Sequence, residues 1–185
     1  RLGHKTRQLT FGEQNITATD WSVNGKQIAA TVGRWGKNHL VLVDVATGKT
    51  TEIKLEGRSV LAGTFTRDGK SLVFAASVEG GFELIARNLH SGKNTVLYSI
   101  KGDVYSLSMS PDGSKVAYSS DKDGDSEIFV AKMDGSGISQ VTDNFREDNN
   151  PRWLSDSKSM VFDSDRYNNF ESFKIDVDGS GRVRF

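Results

Sequence analysis

The chain contains no cysteine. Disulfides, thiolate catalysis and cysteine-ligated zinc are therefore excluded, and the composition suits any redox compartment. Proline is scarce, at two residues, and no apolar run approaches the ~20 residues that a membrane-spanning helix needs. Membrane insertion is not expected. No signal peptide is visible, and the chain opens on Arg1 in place of Met, so it reads as processed or excised from something longer. The three histidines, His4, His39 and His90, lack zinc-ligand spacing, and no Gly-x-Ser-x-Gly nucleophile elbow occurs. Net charge is zero. Residues 1–60 carry nine basic and five acidic side chains, a balance of +4, and residues 101–185 carry eleven and sixteen, a balance of −5. The basic half is too mild for the stripe that nucleic-acid binding requires, so no nucleic-acid partner is expected.

What the chain has is a repeat. Asp112-Gly113 sits between two short apolar runs, in Met109-Ser110-Pro111-Asp112-Gly113-Ser114-Lys115-Val116-Ala117-Tyr118. Asp and Gly accept the positive backbone angles of tight hairpin turns. The same arrangement recurs at a spacing of 44 residues, at Asn24-Gly25, Asp68-Gly69 and Asp156-Ser157, without a gap. A fixed period of this length marks an array, a solenoid or a propeller.

Each unit reads as strand a, a tight turn, strand b, a loop, strand c, a second tight turn and strand d. That is a four-stranded antiparallel meander. The units span 16–55, 60–100, 104–142 and 148–185, and together they make residues 1–185 one all-β domain or segment. Residues 1–11 look like the outer strand of another blade or of the closing one, because Thr6 to Thr10 falls in phase with the d strands at 50–54 and 138–142.

The apolar pattern is near-continuous in Leu40-Val41-Leu42-Val43, Leu72-Val73-Phe74-Ala75-Ala76 and Ile128-Phe129-Val130-Ala131. Strands covered on both faces read this way, where a sheet with one wet face would alternate. Four-stranded antiparallel sheets covered by identical neighbours are the blades of a β-propeller. In-register columns such as Trp21, Phe65, Met109 and Trp153 are expected to form the inter-blade core.

The third unit carries the clearest motif. It reads Ser110-Pro111-Asp112-Gly113, then Ser120-Asp121-Lys122-Asp123-Gly124, Glu127-Ile128-Phe129, Asp134-Gly135-Ser136-Gly137 and Val141-Thr142. This resembles the repeat of TolB-like β-propellers, the WD40-like Pro-Asp repeat family. Unit four departs from the pattern at Ser157, where Gly is expected, and at Asn168-Asn169. The Trp-Asp signature of WD repeats and the sialidase box are absent. The resemblance implies a bacterial, non-catalytic interaction scaffold, periplasmic or otherwise extracytoplasmic, that associates with cell-envelope proteins. It implies no cofactor. TolB-like propellers also serve as the gating part of prolyl-oligopeptidase-like serine peptidases, so that reading stands beside the scaffold. A carbohydrate-binding propeller is a third, since Trp35 and Tyr167 could stack on a sugar ring.

Topology separates two faces. The a–b and c–d turns open on one, and the longer b–c loops and d–a connections open on the other, where function concentrates. Arg, Trp and Tyr are the types enriched at interface hot spots. The expected partner-binding residues on that face are Arg34, Trp35, Arg146, Asp148, Asn149, Arg166 and Tyr167, for a protein or peptide partner. Phe145 and Phe170 lie in the same loops. The acidic loop with Asp121, Asp123 and Asp125 could converge on calcium, but it lacks the rest of an EF-hand, and a solvated hairpin turn is the plainer expectation.

Overall fold

The computed structural model describes residues 6–10, 15–34, 37–178 and 183–184. Among the described residues sixteen strands form four separate four-stranded sheets, each in chain order and antiparallel throughout. The first sheet holds β1 (Ile16–Trp21), β2 (Gln27–Arg34), β3 (Lys37–Asp44) and β4 (Thr50–Ile53), and the second holds β5 (Val60–Phe65), β6 (Ser71–Val78), β7 (Gly81–Asn88) and β8 (Asn94–Lys101). The third holds β9 (Val104–Met109), β10 (Lys115–Ser120), β11 (Glu127–Lys132) and β12 (Ile138–Gln140), and the fourth holds β13 (Asp148–Trp153), β14 (Ser159–Ser164), β15 (Glu171–Asp176) and β16 (Val183–Arg184). No helix occurs among the described residues.

The turn chemistry explains the register. Gly25, Gly69 and Gly113 take φ of 68°, 68° and 73° in the a–b turns, and Ser157 takes 56° at the matching place. In the third turn the Asp112 carboxylate accepts from the Ser110 hydroxyl at 2.6 Å and from the Ser114 N–H at 2.9 Å, which holds it near pKa 2. Each first strand also carries an irregularity in its pairing with the second, at Thr19, Ala62, Tyr105 and residues 150–151. Such bulges bend a strand and increase its twist.

The first strands β1, β5, β9 and β13 contact one another in sequence and so line a common axis. The cores lie between blades: Ile53, Val60 and Phe74 join blades one and two, and Val130, Val141, Met160 and Phe173 join blades three and four. Across these junctions the Trp153 indole N–H donates to the Ser108 carbonyl at 2.9 Å, and Asp20 accepts from the Thr64 hydroxyl and the Phe65 N–H, both at 2.8 Å. Ile28, Leu72, Val116 and Met160, which share one register position across the four blades, are buried, as are Val41, Ile85, Phe129 and Phe173 at another. Trp21 departs, with 55% of its surface exposed beside an open cleft at the axis. Residues 6–10 run without strand pairing, and Leu9 packs beside Ile28, Val41 and Val43 on the face of blade one.

Candidate functional site

The loop face of blades three and four begins with a buried charge. Asp148 opens β13 at 0% exposure, in the register position that Val60 and Val104 fill in blades two and three. A carboxylate in a slot built for an apolar side chain needs partners, because burying it unpaired is costly. The partners come from two blades. Arg166, from the β14–β15 hairpin, donates through Nη2 to both Asp148 oxygens at 2.8 and 2.7 Å. Its Nε donates to the Ser164 hydroxyl at 2.8 Å, and its guanidinium lies 4.7 Å from the Phe173 ring centroid. Asn144, in the connection from blade three, donates from Nδ2 to Asp148 Oδ2 at 2.9 Å.

Asn144 also reaches Glu127, the first residue of β11. Its backbone N–H donates to Glu127 Oε1 at 2.5 Å and its Nδ2 to the same oxygen at 3.1 Å, while the Thr142 hydroxyl donates to Oε2. Glu127 is 2% exposed. Burial pushes its carboxyl up to about 7 despite the bonds from Thr142 and Asn144, and the nearby Asp148 and Asp125 add to the rise. Ser126 completes the joint. Its carbonyl accepts from the Asp148 N–H at 2.6 Å, and its hydroxyl donates to Asn149 Oδ1 at 2.9 Å. A polar lock thus ties the end of blade three to the start of blade four beneath the loops.

Above the lock stand exposed aromatic side chains. Phe145 is 99% exposed, Tyr167 56% and Phe170 63%. Tyr167 stacks on Phe173 at 6.1 Å between centroids, which couples it to the ring that carries Arg166. Arg146 Nη2 reaches Asn168 Oδ1 at 3.4 Å and so joins the 143–147 connection to the β14–β15 hairpin. Asn168 takes φ of 72° at the tip of that hairpin, in register with Gly80 and Gly124. Asn is among the few side chains that adopt this conformation readily, so the departure from the repeat keeps the turn.

The expected site residues therefore divide. Arg146 and Tyr167 are displayed, whereas Asp148, Arg166 and Asn149 are engaged in holding the display in place. Arg34 ends β2 opposite Lys37 and lies on the same face in blade one, and Trp35 lies outside the described residues. Sequence reasoning did not select Glu127, Asn144 or Phe145. The available signal was Asp148 standing where Val60 and Val104 predict an apolar residue. The acidic loop does not converge. Asp121 accepts from the Asp103 N–H and the Tyr105 hydroxyl, both at 2.7 Å, and Asp123 pairs with Lys122 at 3.0 Å. Among the described residues no group of three or more His, Cys, Asp or Glu could hold a metal ion.

A search of curated protein sequences finds no significant match. Among solved structures the chain is similar to a putative TolB from Agrobacterium tumefaciens, with 22% identity over 89% of this chain and 62% of that one, at a TM-score of 0.76. It is also similar to TolB from Acinetobacter baumannii, with 20% identity over 92% and 43% and a TM-score of 0.77. Puromycin hydrolase shares the fold at 13% identity over 92% and 28%, with a TM-score of 0.68. The chain thus spans less than two thirds of the length of each of these proteins. A model of the TolB beta propeller domain matches residues 82–185, more than half of the chain. With four antiparallel blades about one axis and that match, the chain belongs to the TolB β-propeller domain family.

Proposed function

We propose that the protein is a non-catalytic interaction scaffold that takes a protein or peptide partner on the face of the b–c loops and d–a connections. One observation carries this reading: Phe145, Tyr167 and Phe170 stand exposed around Arg146 on a base tied down by the Asp148–Arg166 pair. Aromatic and Arg side chains on a pre-ordered support lose little freedom on binding, which is what a hot spot requires. The extracytoplasmic location and the association with cell-envelope proteins rest on the family alone.

Photo-crosslinking tests the reading. A benzophenone side chain at position 145 should trap a protein partner from envelope extracts. The same group at Val96, which is 51% exposed on β8, should trap little. Equal adducts at the two positions would remove the support for this face. A second reading, the gating propeller of a serine peptidase, draws on the likeness to puromycin hydrolase. A Gly-x-Ser-x-Gly segment downstream in the parent gene would favour it, and a neighbouring peptidoglycan-associated lipoprotein gene would favour the scaffold.

A further inference from the structure

The opposite face carries a second feature. Where the first strands run into their a–b turns, β1, β5, β9 and β13 enclose a cleft of about 270 Å³ at the axis. One wall is apolar, with Trp21, Phe65 and Met109, and Trp21 exposes more than half its surface there. The charged lining is two guanidiniums, Arg67 and Arg152, against one carboxylate, Asp20.

That carboxylate is already engaged. Asp20 Oδ1 accepts from the Trp21 N–H at 2.8 Å, and Oδ2 accepts from the Thr64 hydroxyl and the Phe65 N–H at 2.8 Å each. Beside Arg67, the turn carboxylates Asp68 and Asp112 are held by their own turns. Asp68 accepts from the Thr66 hydroxyl and the Lys70 N–H, and Asp112 accepts from Ser110 and Ser114. Arg152 donates only to carbonyls, those of Leu107 at 3.5 Å and Pro151 at 3.1 Å, and Arg67 makes no hydrogen bond among the described residues. The cleft therefore offers two guanidiniums that, among the described residues, no carboxylate hydrogen-bonds, next to an exposed indole face.

We propose that this axial cleft binds a carboxylate joined to an apolar or aromatic group, with Arg67 and Arg152 taking the carboxylate and Trp21 the apolar part. Planar guanidinium forks suit a two-oxygen anion better than lysine would. The cleft holds a group of about one to two amino acids, so a free small acid and the C-terminus of a peptide share the required chemistry. This site lies on the face away from the loops, and its fate is independent of the docking face.

Calorimetric titration with N-acetyl-L-phenylalanine and with its primary amide is the test. The acid should bind at least about tenfold tighter than the amide, the effect of losing a charge-assisted contact. Arg67→Gln should lower the affinity for the acid about tenfold while melting like the parent, since the Arg67 guanidinium makes no hydrogen bond or ion pair among the described residues and glutamine keeps the Cβ that lies against Gly113. Arg152→Gln should do the same, and Lys93→Gln in a c–d turn should change nothing. The tripeptide glycyl-glycyl-phenylalanine separates the sources. Binding about tenfold tighter than the acetylated amino acid points to a peptide C-terminus, and equal binding points to a small acid; both uphold the site. Equal affinity for acid and amide would overturn the proposal, as would unchanged binding in Arg67→Gln and Arg152→Gln proteins that melt like the parent.

Discussion

Replacing Arg166 by Val strips the cation from the Asp148 carboxylate and leaves that group buried at 0% exposure with, among the described residues, only Asn144 Nδ2 donating to it. Breaking a buried pair in this way costs about 3–5 kcal/mol, because the remaining charge is desolvated without compensation. For a domain of this size that lowers Tm by about 6–20 °C, at roughly 2–4 °C per kcal/mol. Asp148→Val should be milder, at about 1–3 kcal/mol, since the Arg166 side chain keeps 11% exposure and its stacking on Phe173. The double variant is the informative one. Blade two carries Val60 and Val78 at these two register positions, the first buried and the second partly exposed, so apolar side chains at both places already occur in the chain. The double variant should be more stable than Arg166→Val alone, with a coupling of about 2 kcal/mol, within the range for residues in contact. Calorimetric melting of the parent, both singles and the double reads this directly. Additive losses, or an Arg166→Val protein within about 0.5 kcal/mol of the parent, would refute the assignment of a buried and mutually dependent pair.

Further tests address the same joint and the turns. Glu127 has its folded pKa raised to about 7 by burial, so the folded state binds more protons than the unfolded one between about pH 4.5 and 7. Its contribution is fully present below pH 4.5 and is lost as pH rises through 7; urea unfolding from pH 5 to 8 should show falling stability, and Glu127→Gln should flatten that slope. Ser157 holds φ of 56° and accepts from the Asp112 N–H at 3.0 Å. Ser157→Gly relieves about 1–2 kcal/mol of backbone strain but loses about 1 kcal/mol of hydrogen bond and about 0.4–1 of unfolded-state entropy, so it should be near neutral. Ser157→Ala keeps the strain, loses the bond and should cost about 1–2 kcal/mol; a Gly variant more stable by over about 1 kcal/mol would show that the bond is idle. The Tyr105 phenol is pushed up to about 12 by its hydrogen bond to Asp121, so alkaline ultraviolet titration should place it late, and Asp121→Asn should bring it earlier.

The blades were legible because turn chemistry, apolar runs and the 44-residue spacing all point to the same meander. The faces were legible for the same reason, since strand direction alone decides where each loop opens. The interior of the candidate site was less so. Loop-borne Asp148 and Arg166 read as surface charges, yet the first strand of each blade faces the axis and its opening residue is core, as Val60 and Val104 show. Comparing the repeats at that one position reveals the buried carboxylate, but not that Glu127 and Asn144 would meet it, because those contacts form between blades. Trp21 errs the other way. Its column predicts a buried ring, whereas its blade leaves it exposed beside the axial cleft. The same limit hides the 99% exposure of Phe145, as an aromatic in a short connection reads equally well as a plug for the joint below it.

The most direct measurement is the affinity of the partner trapped at position 145 for a protein carrying Phe145→Ala, Arg146→Ala and Tyr167→Ala together. Tyr167 lies on the Phe173 ring that carries Arg166, and Arg146 reaches Asn168, both from the exposed side of the lock, so the variant should keep the fold, and its melting temperature is read beside the affinity. Loss of a hot-spot cluster should weaken binding by about 100-fold or more. An affinity within about twofold of the parent's would contradict the docking face.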